Sequence, residues 1–351
     1  MAATQNQKQP SKTLPKAQPA QKPATRLGKV KKGRVAGARR YCFYGVESVG
    51  KTTLAAHMPS PIFIDIENGS AELDVDRYLF DDGTVVPKSL DEFMNAIADI
   101  TLNEHSYKTL VIDSLDRLED LIWSHVCKRD SGVKSELNKN ARHLISIESY
   151  GFGKGYNVSL DSFRAILVAL QRLLDKRQMN ICFIGHAHVK MFKNPSGDDY
   201  DRYWLRAHPT MAGKTKEWVD VVGFCHFEEF AEKVEGSDKK AQIGFSTGVR
   251  IVEFERQAAF DAKSRIAMPR SIVLEAENPW APIQEAIDAG QKIGPEDLIS
   301  MIQTELFRIG DSKLTEKVRA SCNGVVDTAR LNRFRLELQT RMPKEEATTN
   351  E

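Results

Sequence analysis

The feature that most constrains the fold is a glycine-rich stretch of eight residues, 45–52, with the spacing G-x-x-x-x-G-K-[ST]. An apolar run, 41–44, precedes it, and a helix-like run, 53–58, follows it. A strand, a glycine-bent turn and the start of a helix together form a cup of backbone N–H groups that binds an anion. The sequence therefore predicts a loop that binds the phosphates of a nucleotide.

Individual residues of this loop have expected contacts. Lys51 should reach the β- and γ-phosphates, and the hydroxyl of Thr52 should be a ligand of Mg²⁺. The residues predicted to surround the nucleotide are Gly45, Glu47, Ser48, Val49, Gly50, Lys51, Thr52 and Thr53.

Beyond the loop, short apolar runs alternate with amphipathic stretches. Because parallel strands need helical crossovers, this alternation predicts an α/β fold with a mostly parallel central sheet flanked by helices. Ser89 and Glu92 have capping-box spacing at the start of one helix. The strand candidates are 40–44, 61–66, 108–113, 180–185 and 219–227, with β-rich segments near 242–254 and 271–275, and the helix candidates are 50–58, 89–101, 115–128 and 158–176.

Acidic residues follow two of the predicted strands, at the sheet edge where ligands of α/β proteins collect. Glu67 follows the strand at 61–66 and could orient an attacking water, although Asp65 or Glu47 could serve instead. Asp113 ends the next strand and is the expected second ligand on the metal side. A helix N-cap is the alternative role for Asp113.

The fourth strand ends at His186, beside the expected γ-phosphate, and we interpret the following stretch, 189–217, as a long loop. Cations alternate there with aromatic residues, which suits single-stranded nucleic acid because phosphates pair with cations and bases stack on rings. The alternatives are a packed surface excursion anchored by Trp204 and Trp218, and a structural or metal-binding role for His186 and His188. The predicted DNA contacts in this stretch are Lys190, Phe192, Lys193, Arg202, Tyr203 and Arg206.

A second basic and aromatic stretch, 129–157, lies between two helix candidates. Its glycine-spaced part, 151–156, imitates a phosphate loop, but no apolar strand leads into it. We interpret the stretch as a flexible loop on the same face and predict that Lys154 contacts nucleic acid.

Charge is unevenly distributed along the chain. The net charge is +2, but residues 1–40 contain 11 basic and no acidic residues, which leaves −9 for the remainder. The same stretch has few apolar residues, so we predict a disordered tail, 1–37. The tail either binds phosphates electrostatically or keeps the chain soluble. We expect the core at 38–290 and a small C-terminal helical unit at 291–345.

Cysteines and hydropathy indicate the class of protein. The five cysteines are widely spaced without a C-x-x-C pair, which predicts reduced, buried thiols. No stretch is apolar for long enough to cross a bilayer, and the first residues lack the apolar core of a signal peptide. We therefore expect a soluble, cytoplasmic protein with no membrane partner.

Several stretches resemble a known family. Residues 45–53 are similar to the phosphate loop of RecA recombinases, and 63–67 resembles their strand that ends in a catalytic glutamate. The closer resemblance is to phage-encoded RecA-like ATPases of the single-strand annealing type, and it does not reach the tail or the C-terminal helices. The further stretches that carry it are 61–65, 108–115, 153–156, 200–203 and 217–220.

The resemblance implies roles for particular residues. Glu67 would be the general base, Asp113 the carboxylate on the Mg²⁺ side, and His186 the γ-phosphate sensor at the head of a DNA-binding loop. RecA itself has glutamine at the sensor position. Residues 261–265 resemble a segment from which RecA-type filaments insert cations into a neighbour's ATP site. Lys263 or Arg265 would then act in trans, with a solvated charge cluster as the alternative.

The resemblance also implies a function. It indicates an ATP-dependent, single-stranded-DNA-binding recombination protein that assembles into a filament or ring and promotes strand annealing or pairing. Its compartment would be the host cytoplasm if a phage encodes it, and a single-strand-binding protein or another replication protein would be a candidate partner. Two alternatives keep the core: a DNA motor such as a helicase or packaging ATPase, and a nucleotide-gated adaptor without significant turnover.

Overall fold

The computed structural model describes residues 37–233 and 242–292 and the two single residues Ile302 and Leu306. The predicted tail, 1–37, and the predicted C-terminal helical unit, 291–345, lie almost entirely outside these residues. The regular elements therefore belong to the predicted core.

Ten strands of the described residues form one sheet. They are β1 (Arg40–Gly45), β2 (Pro61–Asp65), β3 (Asp76–Arg77), β4 (Thr109–Asp113), β5 (Asn180–Phe192), β6 (Tyr200–Leu205), β7 (Val221–Lys233), β8 (Gln242–Glu253), β9 (Lys263–Ser264) and β10 (Ser271–Val273). The helices are α1 (Lys51–Ala56), α2 (Leu90–Leu102), α3 (Leu115–Asp130), α4 (Lys154–Arg177), α5 (Pro209–Trp218) and α6 (Ala281–Lys292).

The strand order is β10-β8-β7-β1-β5-β4-β2-β3, with β6 paired to β5 and β9 paired to β7. The central pairs β7–β1, β1–β5, β5–β4, β4–β2 and β2–β3 are parallel, whereas β8, β10, β6 and β9 are added antiparallel. The predicted fold class is confirmed: an α/β fold with a central, mostly parallel sheet and helices. Neither neighbour of β1 adjoins it in sequence, so a crevice opens at its carboxyl end.

Apolar layers cover both faces of the sheet. Every residue of β4 is buried, and successive residues face opposite sides: Ile112 packs in the layer with α2, α3 and α4, and Val111 in the layer with α1 and α6. Strands buried on both faces require near-continuous apolar runs, which explains why they were recognisable in the sequence.

The start of α2 agrees with the predicted cap. The hydroxyl of Ser89 accepts a hydrogen bond from the backbone N–H of Glu92 at 3.2 Å. The carboxylate of Glu92 reaches back to the N–H of Lys88 rather than to that of Ser89. The helix therefore begins where the sequence predicts. The Glu92 carboxylate satisfies the N–H of Lys88, one residue before the cap.

The interpretation of 189–217 as a long loop is wrong. Strand β5 continues to Phe192 and pairs antiparallel with β6, and helix α5 follows. Side chains of the two strands meet in pairs, such as His188 with Trp204 and Phe192 with Tyr200. These cross-strand pairs stabilise a hairpin in which charged and polar residues are mixed with apolar and aromatic ones, which is why local hydropathy did not reveal the strands.

The stretch 129–157 is a loop only in part. Helix α3 continues to Asp130, a 3₁₀ turn covers Ile147–Tyr150, and α4 begins at Lys154 rather than near residue 158. Gly153 takes a left-handed conformation, with φ 68°, immediately before that helix. The glycine run thus starts a helix and does not form a second phosphate loop.

Candidate functional site

The phosphate loop connects β1 to α1 as predicted. Gly50 precedes the helix with φ 87°, a left-handed conformation that glycine adopts without strain. A Cβ on Gly45 would lie 1.9 Å from the carbonyl oxygen of Cys225 on the neighbouring strand β7. Both glycines are therefore needed, one for the turn and one for the close approach of two strands.

Lys51 is held inside this loop. Its ammonium donates hydrogen bonds to the carbonyl oxygens of Gly45 at 3.2 Å and Val46 at 2.7 Å. Burial lowers the pKa of Lys51, and carboxylates nearby, including Asp113 and Glu67, oppose that shift. The cation is therefore directed into the cup, where a phosphate would satisfy it.

Thr52 and Asp113 meet as the predicted metal pair. The Thr52 hydroxyl donates to the Asp113 carboxylate at 2.7 Å. Burial raises the pKa of Asp113 to about 6 and the nearby Asp65 and Glu67 add to the shift, whereas the bond from Thr52 opposes it. A hydroxyl and a carboxylate in contact are the oxygen ligands that Mg²⁺ prefers, so these two residues fit the ion.

The alternative role of Asp113 as a helix cap does not apply. The residue at the N-cap of α3 is Ser114, and its side chain makes no capping bond. The Ser114 hydroxyl donates instead to the carboxylate of Glu67 at 2.8 Å. Asp113, at the end of β4, thus belongs to the predicted metal pair. Ser114, the next residue, orients Glu67.

The two acidic residues after β2 have different environments. Asp65 is fully buried, and its carboxylate accepts hydrogen bonds from the backbone N–H groups of Glu67, Gly69 and Ser70 and from the Ser70 hydroxyl. It fixes the turn and is not free to orient water. Glu67 is partly exposed at the sheet edge, with a side-chain exposure of 29%.

His186 lies directly beside the phosphate loop, because β5 pairs it with Gly45. Its Nδ1 is 3.1 Å from both carboxylate oxygens of Asp116 and 3.9 Å from the carboxylate of Glu67. The hydrogen bond to Asp116 raises the pKa of His186, although burial opposes this. With Nδ1 engaged, Nε2 is the nitrogen that can meet a phosphate.

Asp116 is a site residue that the sequence analysis missed. Burial acts to raise its pKa, but the hydrogen bond and charge of His186 lower it overall. The available signal was its position, three residues after Asp113 in the first turn of α3. Glu67, Asp116 and His186 have ligand atoms within 4.8 Å of one another. A metal ion at these three residues would need the neutral imidazole, whereas the hydrogen bond to Asp116 favours the protonated ring.

The predicted DNA contacts on the hairpin β5–β6 differ in exposure. Lys190, Lys193 and Arg206 are exposed, and Phe192 and Tyr203 are partly buried. Lys193 forms an ion pair with Asp199 across the end of the hairpin, at 2.5 Å.

Arg202 does not face solvent, which corrects its predicted role. Its side chain is 2% exposed, pairs with Asp261 and donates to the carbonyl oxygen of Phe260. The guanidinium also lies over the rings of Phe192 and Trp204, at 5.5 and 5.3 Å from their centroids. It fastens the hairpin to the core and is not placed to contact DNA.

Lys154 is exposed in the first turn of α4. Phe152, two residues earlier, is fully exposed, and Tyr156 stacks on His208 with ring centroids 4.0 Å apart. The first turn of α4, which carries Lys154, thus contacts the N-cap residue of α5 through Tyr156.

The two residues predicted to act in trans are bonded within their own chain. Lys263 donates to the carbonyl oxygen of Lys216, and Arg265 donates to the carbonyl oxygen of Glu217 at 2.7 Å and to Asp220 at 3.2 Å. Asp220 also pairs with Arg40 at the start of β1, the end opposite the phosphate loop. These cations cannot reach their own loop, and a role in a neighbour's site stays a prediction.

Two further expectations concern the whole chain. The four cysteines of the described part, Cys42, Cys127, Cys182 and Cys225, are free and buried, as predicted, while Cys322 lies outside it. Among the helices that the structure describes, none is long and apolar enough to cross a membrane.

The chain matches the model of a family described as "AAA domain" over residues 38–266. No curated protein is significantly similar to it. One similar solved structure is the crystal structure of the RadB recombinase, at 12% identity and a TM-score of 0.29, with 64% of this chain and 84% of that chain covered. Because the family model spans more than half of the sequence, the chain belongs to this AAA domain family.

Proposed function

We propose that the protein binds and hydrolyses ATP and uses the nucleotide state to control its binding of single-stranded DNA, as a recombination protein that promotes annealing or pairing. The observation that carries the proposal is the position of His186. Its side chain lies beside the carboxylates of Glu67 and Asp116, and its own strand, β5, continues without a break into the hairpin β5–β6.

Hydrolysis is proposed from the arrangement at the carboxyl ends of β1, β2 and β4. Lys51 would neutralise phosphate charge, and Thr52 with Asp113 would hold Mg²⁺, which would supply further positive charge against the phosphates. The carboxylate of Glu67, which the hydrogen bond from Ser114 orients, takes a proton from the attacking water.

Coupling to the hairpin is proposed from two contacts of α3. Asp116 bonds His186, which precedes the hairpin, and Glu119 accepts a hydrogen bond from the backbone N–H of His208, which follows it, with both carboxylate oxygens at 3.0 Å. Burial raises the pKa of Glu119 to about 7. One turn of α3 thus contacts the residues that precede and follow the hairpin. A shift of His186 on binding the γ-phosphate would therefore be transmitted to the hairpin.

The DNA surface is proposed from exposed cations and rings. Lys190 and Arg206 on the hairpin, and Phe152 and Lys154 before and at the start of α4, are exposed. The Tyr156–His208 stack joins the start of α4 to the segment after the hairpin, which supports one surface formed by both groups. Cations that pair phosphates and a ring that stacks bases bind single strands with little sequence preference.

The test is ATP turnover with and without single-stranded DNA, together with annealing of complementary strands. We expect DNA to stimulate turnover and the Lys51→Ala variant to lose nucleotide binding. Arg164→Ala, which removes an exposed cation on α4, should behave as the parental protein does.

Other results would favour the alternatives. Directional unwinding of a tailed duplex without annealing would indicate a motor. Turnover that stays negligible in both conditions, with ATP still bound, would indicate an adaptor. Filaments or rings seen by electron microscopy only with ATP and DNA would support assembly on the strand, and a monomer under all conditions would refute it.

A further inference from the structure

A cation contacts the phosphate loop from the side opposite His186. A Cβ built on Gly50 would lie 2.6 Å from Nη1 of Arg250 and 3.7 Å from its Cζ. Arg250 belongs to β8, two strands from β1 on the far side of β7. The guanidinium therefore packs directly against the glycine that begins the turn into α1.

Arg250 has no carboxylate partner within the part of the chain that the structure describes. Its Nη2 donates to the backbone carbonyl oxygen of Glu275 at 3.3 Å. A guanidinium in contact with protein loses part of its hydration, and an anion bound beside it would offset that loss. Here the nearest place built to hold an anion is the phosphate loop itself.

The backbone on either side holds Arg250 in place. Its own carbonyl oxygen accepts a hydrogen bond from the N–H of Leu274 at 2.8 Å, next to the residue that its guanidinium contacts. One bond to the backbone of Arg250 and one from its guanidinium reduce the freedom that the side chain would lose on binding a ligand. The cation is thus positioned before any nucleotide arrives.

The sheet order separates two sets of groups around the loop. Glu67, Asp113 and His186 come from β2, β4 and β5, on one side of β1, whereas Arg250 comes from β8 on the other side. The γ-phosphate must lie toward the first set, since those residues would act on it. Arg250 is therefore placed toward the phosphates nearer the nucleoside.

We infer that Arg250 binds the α- or β-phosphate of the nucleotide held by its own chain. The inference rests on the proposed function, because it requires the loop to hold a nucleotide. A contact to these two phosphates is made to ADP and ATP alike, so Arg250 would set affinity for both and would not distinguish them.

The experiment is equilibrium binding of fluorescent ADP and of a fluorescent, non-hydrolysable ATP analogue at one Mg²⁺ and salt concentration. We expect Arg250→Ala to weaken both by about tenfold or more, and by similar factors, because a charge-assisted hydrogen bond is lost. Arg250→Gln, which keeps a donor for the Glu275 carbonyl, should weaken both as well. Arg164→Ala is the matched control and should bind both nucleotides as the parental protein does.

The thermal unfolding midpoint without nucleotide shows that each variant is folded. If Arg250→Gln is folded and binds ADP as the parental protein does, while Lys51→Ala does not bind it, the inference fails and the proposed function stands. Weakening of the ATP analogue alone would also overturn it, by assigning Arg250 to the γ-phosphate. If the parental protein binds neither nucleotide, the proposed function fails and this inference with it.

Discussion

At the scale of single residues, neighbouring carboxylates take different roles because their hydrogen bonds differ. Asp65 accepts bonds from three backbone N–H groups and is consumed by the turn after β2. Glu67 accepts a side-chain hydrogen bond from Ser114 and remains at the edge of the site. Of Asp65 and Glu67, only Glu67 therefore has a carboxylate that the turn does not consume, and its role as the base stays a prediction.

Replacing Glu67 with glutamine should separate binding from turnover. Glu67→Gln keeps the size and the hydrogen bond from Ser114 but cannot take a proton, so we expect ATP to remain bound while hydrolysis falls about 100-fold. Phosphate release under single-turnover conditions measures this. Glu104→Gln, at an exposed site on the surface, is the control. Hydrolysis by Glu67→Gln at the parental rate would mean that the base lies elsewhere.

The pair Asp116–His186 should make stability depend on pH. The pKa of His186 is raised above its ordinary value of 6.5, so its contribution is fully present below pH 6.5 and is lost as the pH rises through the higher folded value. The pKa of Asp116 is lowered from 3.8, so its contribution is present above that pH and is lost in stronger acid.

Asp116→Asn removes this pair. The difference in free energy of unfolding between the parental protein and Asp116→Asn should be largest between pH 3.8 and 6.5 and should decrease above that range. Urea unfolding at several pH values measures it, and Asp161→Asn on the surface of α4 is the control. A difference that does not change with pH would show that the pair is not charged.

At the scale of elements, a buried cation fastens the hairpin β5–β6 to the core. Arg202 is charged, yet its guanidinium lies over two aromatic rings and against Asp261, on the face of the hairpin that meets the core. A hydropathy pattern assigns such a residue to solvent, so the sequence pattern of 189–217 indicates a loop where the structure has a hairpin.

Variants of the hairpin should separate stability from DNA binding. Arg202→Ala leaves Asp261 without its most buried partner, so we expect a loss of about 3 kcal/mol in the free energy of unfolding. Lys190→Ala, on the exposed part of β5, should leave stability unchanged and weaken single-stranded DNA binding, most clearly at low salt. Equal stability of Arg202→Ala and the parental protein would contradict the fastening role.

At the scale of the whole molecule, the strand order brings the site together. Lys51, Glu67 and Asp113 follow or end different strands, and His186 lies in β5 where its parallel pairing with β1 ends; the parallel centre of the sheet places all four at one edge. Helix α3 then extends from this edge to the residue after the hairpin, through Asp116 and Glu119. The nucleotide site and the proposed DNA surface thus share one helix.

Glu119→Ala should uncouple these two sites. The variant removes the acceptor for the backbone N–H of His208 and leaves the phosphate loop and Glu67 intact. We expect turnover without DNA to remain near the parental rate, while stimulation by single-stranded DNA decreases several-fold. Steady-state ATPase assays over a range of DNA concentrations measure both quantities, and Asp120→Ala, the exposed neighbour in α3, is the control. Full stimulation of Glu119→Ala would exclude this route of coupling.

The sequence by itself determined the parts that depend on neighbours along the chain. The phosphate loop, the carboxylates after β2 and β4 and the cap of α2 each follow from a short pattern, because a turn or a strand end uses residues only a few positions apart. Only the tertiary structure decided the contacts of Asp116 with His186, of Arg202 with Asp261 and of Arg250 with Gly50. These partners are between 59 and 200 positions apart, and strand order and burial, which no local pattern encodes, bring them together.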